Sequence, residues 1–234
     1  MSNPMIAIIA AMQPELDYLL EQLQQRNDIL VGAFKFYVGT IANSRVVLAL
    51  SGIGKVNAAI TTAIVIERFA PDYVINTGSA GGLGQQMHIG DVVIGTEIAH
   101  HDVDVTPFGY EIGQVPNLPA RYLAAESLIK AVQQTMAQLT DNTIHQGLIV
   151  SGDQFIGTAE QNTTIKAKFT QVLAVEMEAA AIAQTCYQLG IPFVIIRAIS
   201  DNGDAEASIS FDEFLQVAGK NSAEMVIKLI SALN

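Results

Sequence analysis

The chain has 234 residues, of which 50% are apolar and 15% are charged, and its net charge is −11. A chain of this length and hydrophobicity can bury a large core, and we expect one domain over residues 1–234. The sequence shows no cluster of Lys and Arg of the kind on which nucleic-acid binding depends, and the acidic balance disfavours anionic membranes. Charged residues usually make up about a quarter of a protein, so a share of 15% is low. This low share indicates a further buried face, most simply an interface between identical subunits.

The apolar run from Met5 to Met12 is too short to span a bilayer and follows no basic segment, so we expect neither a membrane span nor a signal peptide there. The only cysteine, Cys186, excludes an internal disulfide, and we interpret it as a small buried apolar side chain. These features predict a cytoplasmic protein.

Short apolar runs alternate with segments of helical period along the chain. The predicted strands are Ile6–Ala11, Val46–Leu50, Tyr73–Asn76, Asp91–Ile94, Gly147–Val150, Val172–Val175 and Phe193–Ile196. The predicted helices are one that begins near Pro14 and carries Leu16, Leu19, Leu20 and Leu23 on one face, and Lys55–Phe69, Arg121–Leu139, Met177–Leu189 and Ser210–Leu233. Several strands are apolar on both faces, so we predict an α/β fold of three layers, α/β/α, with a central mixed, twisted sheet flanked by helices.

Polar and glycine-rich segments follow most of the predicted strands. In open α/β sheets, ligands bind beyond the carboxyl ends of the strands, so these segments are candidates for one common site. They are Met12–Glu15, Ser51–Lys55, Thr77–Gly82, Ser151–Phe155, Glu176–Glu178 and Arg197–Asp201. The stretch Phe108–Ala120 has no clear period, and we predict a long functional loop there.

The glycines in these segments have simpler explanations as well. Gly52 and Gly54 suit a tight turn, and Asn57 stands where a dinucleotide-binding fingerprint needs its third glycine. The run Gly78–Gly82 lets a ligand approach the backbone closely, but turn geometry alone also explains it.

Two carboxyl groups in these segments also have two possible interpretations each. Glu15 is either a functional carboxylate or a favourable charge at the start of a helix, and Asp201 is either functional or a turn cap. Arg197 lies inside an apolar run and therefore requires a buried acidic partner.

A cluster of His100, His101, Asp102 and Asp104 invites a metal site, but its spacing matches no common zinc pattern. We therefore expect no metal and no cofactor.

Six segments taken together resemble the bacterial 5′-methylthioadenosine/S-adenosylhomocysteine nucleosidases. They are Ala11–Glu15, Ser51–Val56, Asn76–Gly82, Ser151–Phe155, Val175–Ala179 and Arg197–Asp201, with Asp104–Tyr110 similar to the family's partner-facing loop. The resemblance runs over nearly the whole chain in the same order. Ala10 stands where a glycine is commoner and Gln13–Pro14 replaces a more acidic pair, but neither departure removes a functional group.

This resemblance implies a nucleoside phosphorylase-like fold and hydrolysis of the bond between adenine and ribose in a 5′-alkylthio nucleoside. It assigns Asp201 as the general acid that protonates N7 of adenine and Glu15 as the base that activates water, as two carboxyl groups do in inverting glycosidases. We expect burial or contact with the base to raise the pKa of Asp201.

The same resemblance implies a substrate-binding set. Its members in this chain are Met12, Ile53, Ser79, Phe155, Ile156, Glu176, Met177, Glu178, Arg197, Ser200 and Phe211. Glu178 accepts the ribose hydroxyls, Phe155 stacks on adenine, and an apolar pocket takes the 5′ group. Val105, Phe108 and Pro116 from a second subunit complete that pocket, which implies a homodimer with shared sites.

A purine nucleoside phosphorylase of the same fold is the nearest competing hypothesis. Phosphorolysis needs cations to bind phosphate, but of the five arginines only Arg197 falls in one of the six segments. Lys55 is the other cation in these segments. Two further hypotheses are a non-catalytic nucleoside-binding protein and a dinucleotide-dependent oxidoreductase. The sequence does not rank methylthioadenosine, adenosylhomocysteine, 5′-deoxyadenosine and aminofutalosine as substrates.

Overall fold

The computed structural model describes residues 4–85, 87–136, 143–204 and 206–233. The strands, numbered along the chain, are β1 (Met5–Ala10), β2 (Gln24–Val31), β3 (Phe34–Ile41), β4 (Ser44–Leu50), β5 (Tyr73–Gly82), β6 (Val92–His100), β7 (Tyr122–Leu123), β8 (Ile144–Ser151), β9 (Val172–Glu176) and β10 (Phe193–Asp201). The helices are α1 (Gln13–Gln22), α2 (Lys55–Phe69), α3 (Glu126–Met136), α4 (Ala159–Lys168), α5 (Ala179–Leu189) and α6 (Ala207–Ala232), with a 3-10 turn at Thr106–Phe108.

All these strands belong to one mixed sheet. Strand β1 runs parallel to β4 and β5, whereas β3 runs antiparallel to both β4 and β2. Strands β5, β10, β6, β8 and β9 pair in that order and β9 returns to β5, so this half of the sheet closes into a ring. The predicted mixed sheet is confirmed. Its closure was not predicted, because pairing between distant strands leaves no mark on local periodicity.

Helices cover the sheet in two groups. Helices α1 and α3 pack against α6, and α2 packs against α5. Every residue of β1 and of β10 is buried, as a strand covered on both faces requires. The predicted three-layer arrangement is therefore confirmed, and Cys186 is buried as interpreted. The single domain over residues 1–234 stays a prediction.

Four elements were missed by the sequence analysis, β2, β3, β7 and α4. Strand β2 is an edge strand with mostly exposed residues, so it lacks the apolar run by which the other strands were found. Helix α4 buries only Ile165 and carries no apolar stripe. Local apolar patterns do not mark β2 and α4, which bury so little, whereas β3 buries Phe36, Tyr37 and Ile41.

Several predicted helix boundaries were wrong. The helix predicted from Arg121 begins only at Glu126, because Tyr122–Leu123 forms β7 and pairs with β6; residues 137–139 lie outside the described part. The helix predicted from Met177 begins at Ala179. The last helix begins at Ala207 rather than Ser210 and ends at Ala232.

Five strands continue beyond the carboxyl ends of their predicted runs. Strand β5 continues to Gly82, β6 to His100, β8 to Ser151, β9 to Glu176 and β10 to Asp201, so the glycine run and Asp201 belong to strands and not to loops. Their polar ends come together on one side of the sheet. No helix in the described ranges is long and apolar enough to cross a membrane.

Candidate active site

A cavity of about 340 Å³ lies where the polar ends of β5, β9 and β10 meet the N-terminal ends of α1 and α6. It brings together every predicted site residue of this chain except Arg197 and the three assigned to a second subunit. Those that line it are Met12, Glu15, Ile53, Ser79, Phe155, Ile156, Glu176, Met177, Glu178, Ser200, Asp201 and Phe211.

The Glu15 carboxylate is held by four donors. Its Oε2 accepts from the backbone N–H groups of Ala11 and Met12, each at 3.1 Å. Its Oε1 accepts from the backbone N–H and the hydroxyl of Ser79, each at 2.9 Å. Glu15 lies in the first turn of α1, so it satisfies the helix start and also faces the cavity.

Gly78 makes this approach to Glu15 possible. It has φ +151°, and a Cβ at this position would lie 2.7 Å from Glu15 Oε1. Its N–H donates to Ser222 Oγ of α6 at 3.2 Å, and the hydroxyls of Ser222 and Thr77 are 2.5 Å apart. Helix α6 thereby holds the strand segment that carries Ser79.

The Asp201 carboxyl group ends β10 and faces the same cavity. Its Oδ1 accepts from the N–H of Gly203 at 2.9 Å, and its Oδ2 lies 2.9 Å from the Ser200 hydroxyl. Burial raises the pKa of Asp201 although both hydrogen bonds lower it, as expected from the sequence. Gly81 leaves room beside the acid, since a Cβ there would lie 2.9 Å from Oδ1.

Both carboxyl groups belong to the interior. Glu15 is 1% exposed and Asp201 is 3% exposed.

Arg197 lies behind the cavity wall and is fully buried. Its Nη2 donates to Glu176 Oε2 and to Asn76 Oδ1, the latter at 2.7 Å, and lies 3.6 Å from Glu178 Oε2. Burial lowers its pKa, but the charges of Glu176, Glu178 and Glu15 outweigh this effect and raise it. The predicted acidic partner is confirmed, and two carboxylates share this cation.

Glu176 joins this charge cluster to helix α5. Its carboxylate accepts from the Ser151 hydroxyl, from Glu178 N at 3.0 Å and from Ala179 N at 2.9 Å. These last two N–H groups open α5, where a negative charge is favourable. Glu176 therefore fixes the backbone from which the neighbouring Glu178 side chain extends.

Glu178 presents the fourth carboxyl group of the cavity, after Glu15, Glu176 and Asp201. Its Oε1 accepts from Gly54 N at 2.9 Å. Burial and the charge of Glu176 raise the pKa of Glu178 to about 8, although Arg197 and the Gly54 N–H lower it. The group is thus poised between its charged and neutral forms near neutral pH.

Two aromatic side chains stand at one side of the cavity. The rings of Phe155 and Phe211 are 5.8 Å apart at 75°, an edge-to-face contact. Phe155 is 45% exposed, so much of its ring is accessible.

Comparison with known proteins identifies the family. The phosphorylase superfamily matches residues 5–231. A curated 5′-methylthioadenosine/S-adenosylhomocysteine nucleosidase from an Exiguobacterium strain is 52% identical over 228 residues, covering 97% of this chain and 98% of the relative. The chain belongs to this nucleosidase family.

Solved structures of family members agree over the whole fold. The Neisseria meningitidis nucleosidase in complex with methylthio-immucillin-A is 55% identical, with a TM-score of 0.96 over 97% of this chain and 99% of that one. The Colwellia psychrerythraea nucleosidase in complex with adenine is 43% identical, with a TM-score of 0.97 over 99% and 96%. The resemblance noted in the sequence and the nucleoside phosphorylase-like fold are confirmed, and these relatives are N-glycosyl hydrolases.

The sequence analysis missed five residues of the cavity wall. They are Ala11, Ala80, Gly81, Gln154 and Val175. Each falls within one of the six segments that resemble the nucleosidase family, so the signal was present. Four of them have no functional side-chain group to single them out.

Three predicted residues lie outside this cavity wall, Val105, Phe108 and Pro116. Phe108 is 81% exposed and Pro116 is also exposed. Their contribution to the site of a second nucleosidase subunit stays a prediction.

The histidine pair does not form a metal centre with its neighbours. Within the described ranges, no group of three or more His, Cys, Asp or Glu side chains is placed to hold a metal ion. His100 Nε2 lies 2.8 Å from Gln184 Oε1, and burial lowers the pKa of both His100 and His101.

Proposed function

We propose that this protein hydrolyses the N-glycosidic bond of 5′-methylthioadenosine and S-adenosylhomocysteine, and also of 5′-deoxyadenosine. The products are adenine and the sugar, a 5-thioribose for the first two substrates, in methionine salvage and the recycling of S-adenosylmethionine by-products. The observation that carries the proposal is the pair of buried carboxyl groups, Glu15 and Asp201, in one cavity. The names of the relatives support the substrate class.

Asp201 is the proposed general acid. Adenine is a poor leaving group as an anion, and protonation at N7 makes it leave as a neutral base. The raised pKa of Asp201 supports a carboxyl group that holds its proton until the base is bound. Gly81 leaves the space beside it that a purine ring requires.

Glu15 is the proposed base that takes a proton from water. Three of its donors are backbone N–H groups, which cannot turn away, whereas the Ser79 hydroxyl can rotate. Rotation of that hydroxyl frees one acceptor position on Oε1 for the attacking water. The ribose becomes oxocarbenium-like as the bond breaks, and the carboxylate stabilises this charge.

Glu178 is the proposed acceptor of the ribose hydroxyls, next to Met177 in the cavity wall. Arg197 and Glu176 act from behind the wall, since Arg197 balances the charge of both glutamates. Ser200 supports Asp201 through its hydroxyl.

The remaining wall residues are proposed to select the base and the 5′ group. Phe155 stacks on adenine, and the backbone of Phe155 and Ile156 reads the edge of the base. Met12, Ile53, Met177 and Phe211 surround the 5′-alkylthio group, which gains from apolar contact.

The active unit is proposed to be a homodimer in which Val105, Phe108 and Pro116 of one chain complete the 5′ pocket of the other. Exposed apolar side chains on neighbouring elements support a subunit interface: Val56 is 69% exposed, Leu123 68% and Tyr187 53%. They lie on α2, β7 and α5, which pack together. An exposed apolar patch of this kind is typical of subunit contacts.

Water rather than phosphate is the proposed nucleophile. No Lys or Arg of the described chain lines the cavity. Arg197 is engaged by carboxylates, and Lys55 Nζ pairs with Asp102 Oδ1 at 2.6 Å. An anion in this cavity would meet the carboxyl groups of Glu15, Glu176, Glu178 and Asp201 and no free cation, which disfavours phosphorolysis.

A small-molecule substrate also suits the charge of the protein. The net charge of −11 disfavours binding to nucleic acid or to an anionic membrane. The cytoplasmic location stays a prediction.

The deciding experiment measures adenine release in phosphate-free buffer from methylthioadenosine, adenosylhomocysteine, 5′-deoxyadenosine and aminofutalosine. We expect free sugar as the second product and turnover of the first three substrates. Activity that requires phosphate and yields a sugar 1-phosphate would establish a phosphorylase instead. Turnover of aminofutalosine alone would assign a different substrate to the same chemistry.

A further inference from the structure

Helix α2 begins beside Glu178 without a cap of its own. Gly54, which precedes it with φ +96°, has no side chain to accept from the first N–H groups. Two carboxylates from elsewhere take this role. Gly54 N donates to Glu178 Oε1 at 2.9 Å, and Lys55 N donates to Asp153 Oδ1 at 2.7 Å.

Asp153 is itself held in a closed ring of hydrogen bonds. Lys55 Nζ donates to Asp102 Oδ1 at 2.6 Å, and Asp102 Oδ2 accepts from Asp153 N at 3.0 Å. Burial alone raises the pKa of Asp102, but Lys55 and the Asp153 N–H outweigh it and lower the pKa, so the ring is charged. The side chains of Lys55 and Asp102 are only 18% and 23% exposed, which limits screening by solvent.

The ring joins three segments that are far apart in sequence. Lys55 follows Ile53 of the proposed 5′ pocket, Asp153 precedes Phe155 of the proposed base site, and Asp102 begins the loop that leads to Phe108. None of the three ring residues lines the cavity. Any effect of the ring on catalysis must therefore pass through a neighbour.

That neighbour is Glu178. Among the described residues, Gly54 N is the one hydrogen-bond donor to the Glu178 carboxylate, while Arg197 Nη2 lies farther away at 3.6 Å. The orientation of this carboxylate therefore depends on where α2 begins. Gly54 tolerates little change, since a Cβ there would lie 3.1 Å from Asp153 Oδ1.

We propose that Asp153 is a positioning residue for the ribose site: it fixes the start of α2, so that Gly54 N stays bound to Glu178, and Lys55 and Asp102 hold Asp153 in place. The proposal rests on the role of Glu178 as acceptor of the ribose hydroxyls. Loss of Asp153 releases the first turn of α2 and lets the Glu178 carboxylate leave the geometry that matches ribose.

The test compares Asp153→Ala and Asp153→Asn in steady-state adenine release from methylthioadenosine. One hydrogen bond to a charged group corresponds to about tenfold in affinity, so in Asp153→Ala we expect KM to rise about tenfold with kcat within about threefold. The amide oxygen of Asp153→Asn can still accept from Lys55 N, so we expect most of this loss to be rescued. The control is Asp28→Asn, which removes an exposed acid from its pair with Arg26 and should change neither constant.

The decisive step repeats Asp153→Ala in a Glu178→Ala background, which removes the acceptor of the Gly54 N–H. If Asp153 acts through Glu178, its removal there should change KM by less than about twofold, because the two effects are coupled. An unchanged KM in Asp153→Ala, or the same loss in both backgrounds, would overturn the proposal.

Lys55→Met provides a second route should Asp153→Ala fail to fold. It keeps the Lys55 N–H but removes the ammonium that orients Asp102, and we expect KM to rise in the same direction; an unchanged KM contradicts the ring. Wild-type protein that releases no adenine from any of the nucleosides would refute the proposed function as well. Active wild type with unaltered variants would refute the positioning role alone.

Discussion

The backbone nitrogen and the hydroxyl of Ser79 both lie 2.9 Å from the same oxygen of Glu15, Oε1. The nitrogen fixes the carboxylate, while the hydroxyl is the donor that can turn away and guide water to the same oxygen. The pair therefore combines a rigid contact with an adjustable one at the proposed base.

Ser79→Ala should lower kcat and leave KM nearly unchanged. The backbone N–H still holds Glu15, but the water loses one partner, and a hydrogen bond to a charged group is worth about tenfold or more. Steady-state kinetics with methylthioadenosine measure the effect. Ser231→Ala, an exposed hydroxyl change on α6, is the control. A variant that loses affinity and keeps its kcat would place Ser79 in substrate binding instead.

Asp201→Asn and Glu15→Gln should fail in different ways. General acid catalysis is worth about 10²–10⁴-fold, so kcat of Asp201→Asn should fall by that factor with adenine nucleosides. A substrate whose leaving group departs without protonation, such as p-nitrophenol, should restore its activity. Glu15→Gln should stay inactive with every leaving group, because water activation is lost.

Folding has to be verified for both variants, since each position is buried. Circular dichroism and the melting temperature measure this directly. Equal rescue of the two variants, or no rescue of Asp201→Asn, would show that the acid and base roles are misassigned.

Glu178→Gln should gain stability relative to wild type as the pH rises. The pKa of Glu178 is about 8 in the folded protein against an ordinary value of 4.5. Between these values the unfolded chain releases the proton that the folded protein keeps, so the wild-type protein loses stability as the pH rises through this window. The Glu178→Gln variant has no proton to release at this position and does not lose that stability. Melting temperatures at about pH 5 and about pH 8 measure the difference, with exposed Glu67→Gln as control. A pH-independent difference would show that the pKa is not raised.

Phe108→Ala should weaken substrate binding more than turnover, because the side chain is proposed to close the 5′ pocket of the partner subunit. Its 81% exposure in one chain leaves it available for that contact. Light scattering should give twice the chain mass of 25.0 kDa for wild type. Leu30→Ala, a 69% exposed apolar change on the hairpin of β2 and β3, serves as control. A fully active monomer would contradict the shared site.

Much of the site could be read from the sequence because its residues cluster in short segments. Each segment follows an apolar strand, and parallel strands place their carboxyl ends at one edge of the sheet. The resemblance to the nucleosidase family that these segments carry then implied the two proposed catalytic carboxyl groups and ten binding residues that line the cavity. Arg197 was singled out for a different local reason: a charge within an apolar run needs a buried partner.

The sequence by itself determined the α/β class and the family resemblance, and through that resemblance it predicted much of the cavity wall, since these follow from local patterns and motifs. Only the tertiary structure decided the closure of the sheet, the burial of Glu15 and Asp201, and the capping of α2 by Asp153, a residue 98 positions away. Such contacts depend on which segments meet in space. Local periodicity reports only which face of an element is apolar, and it carries no information on the partner that covers it.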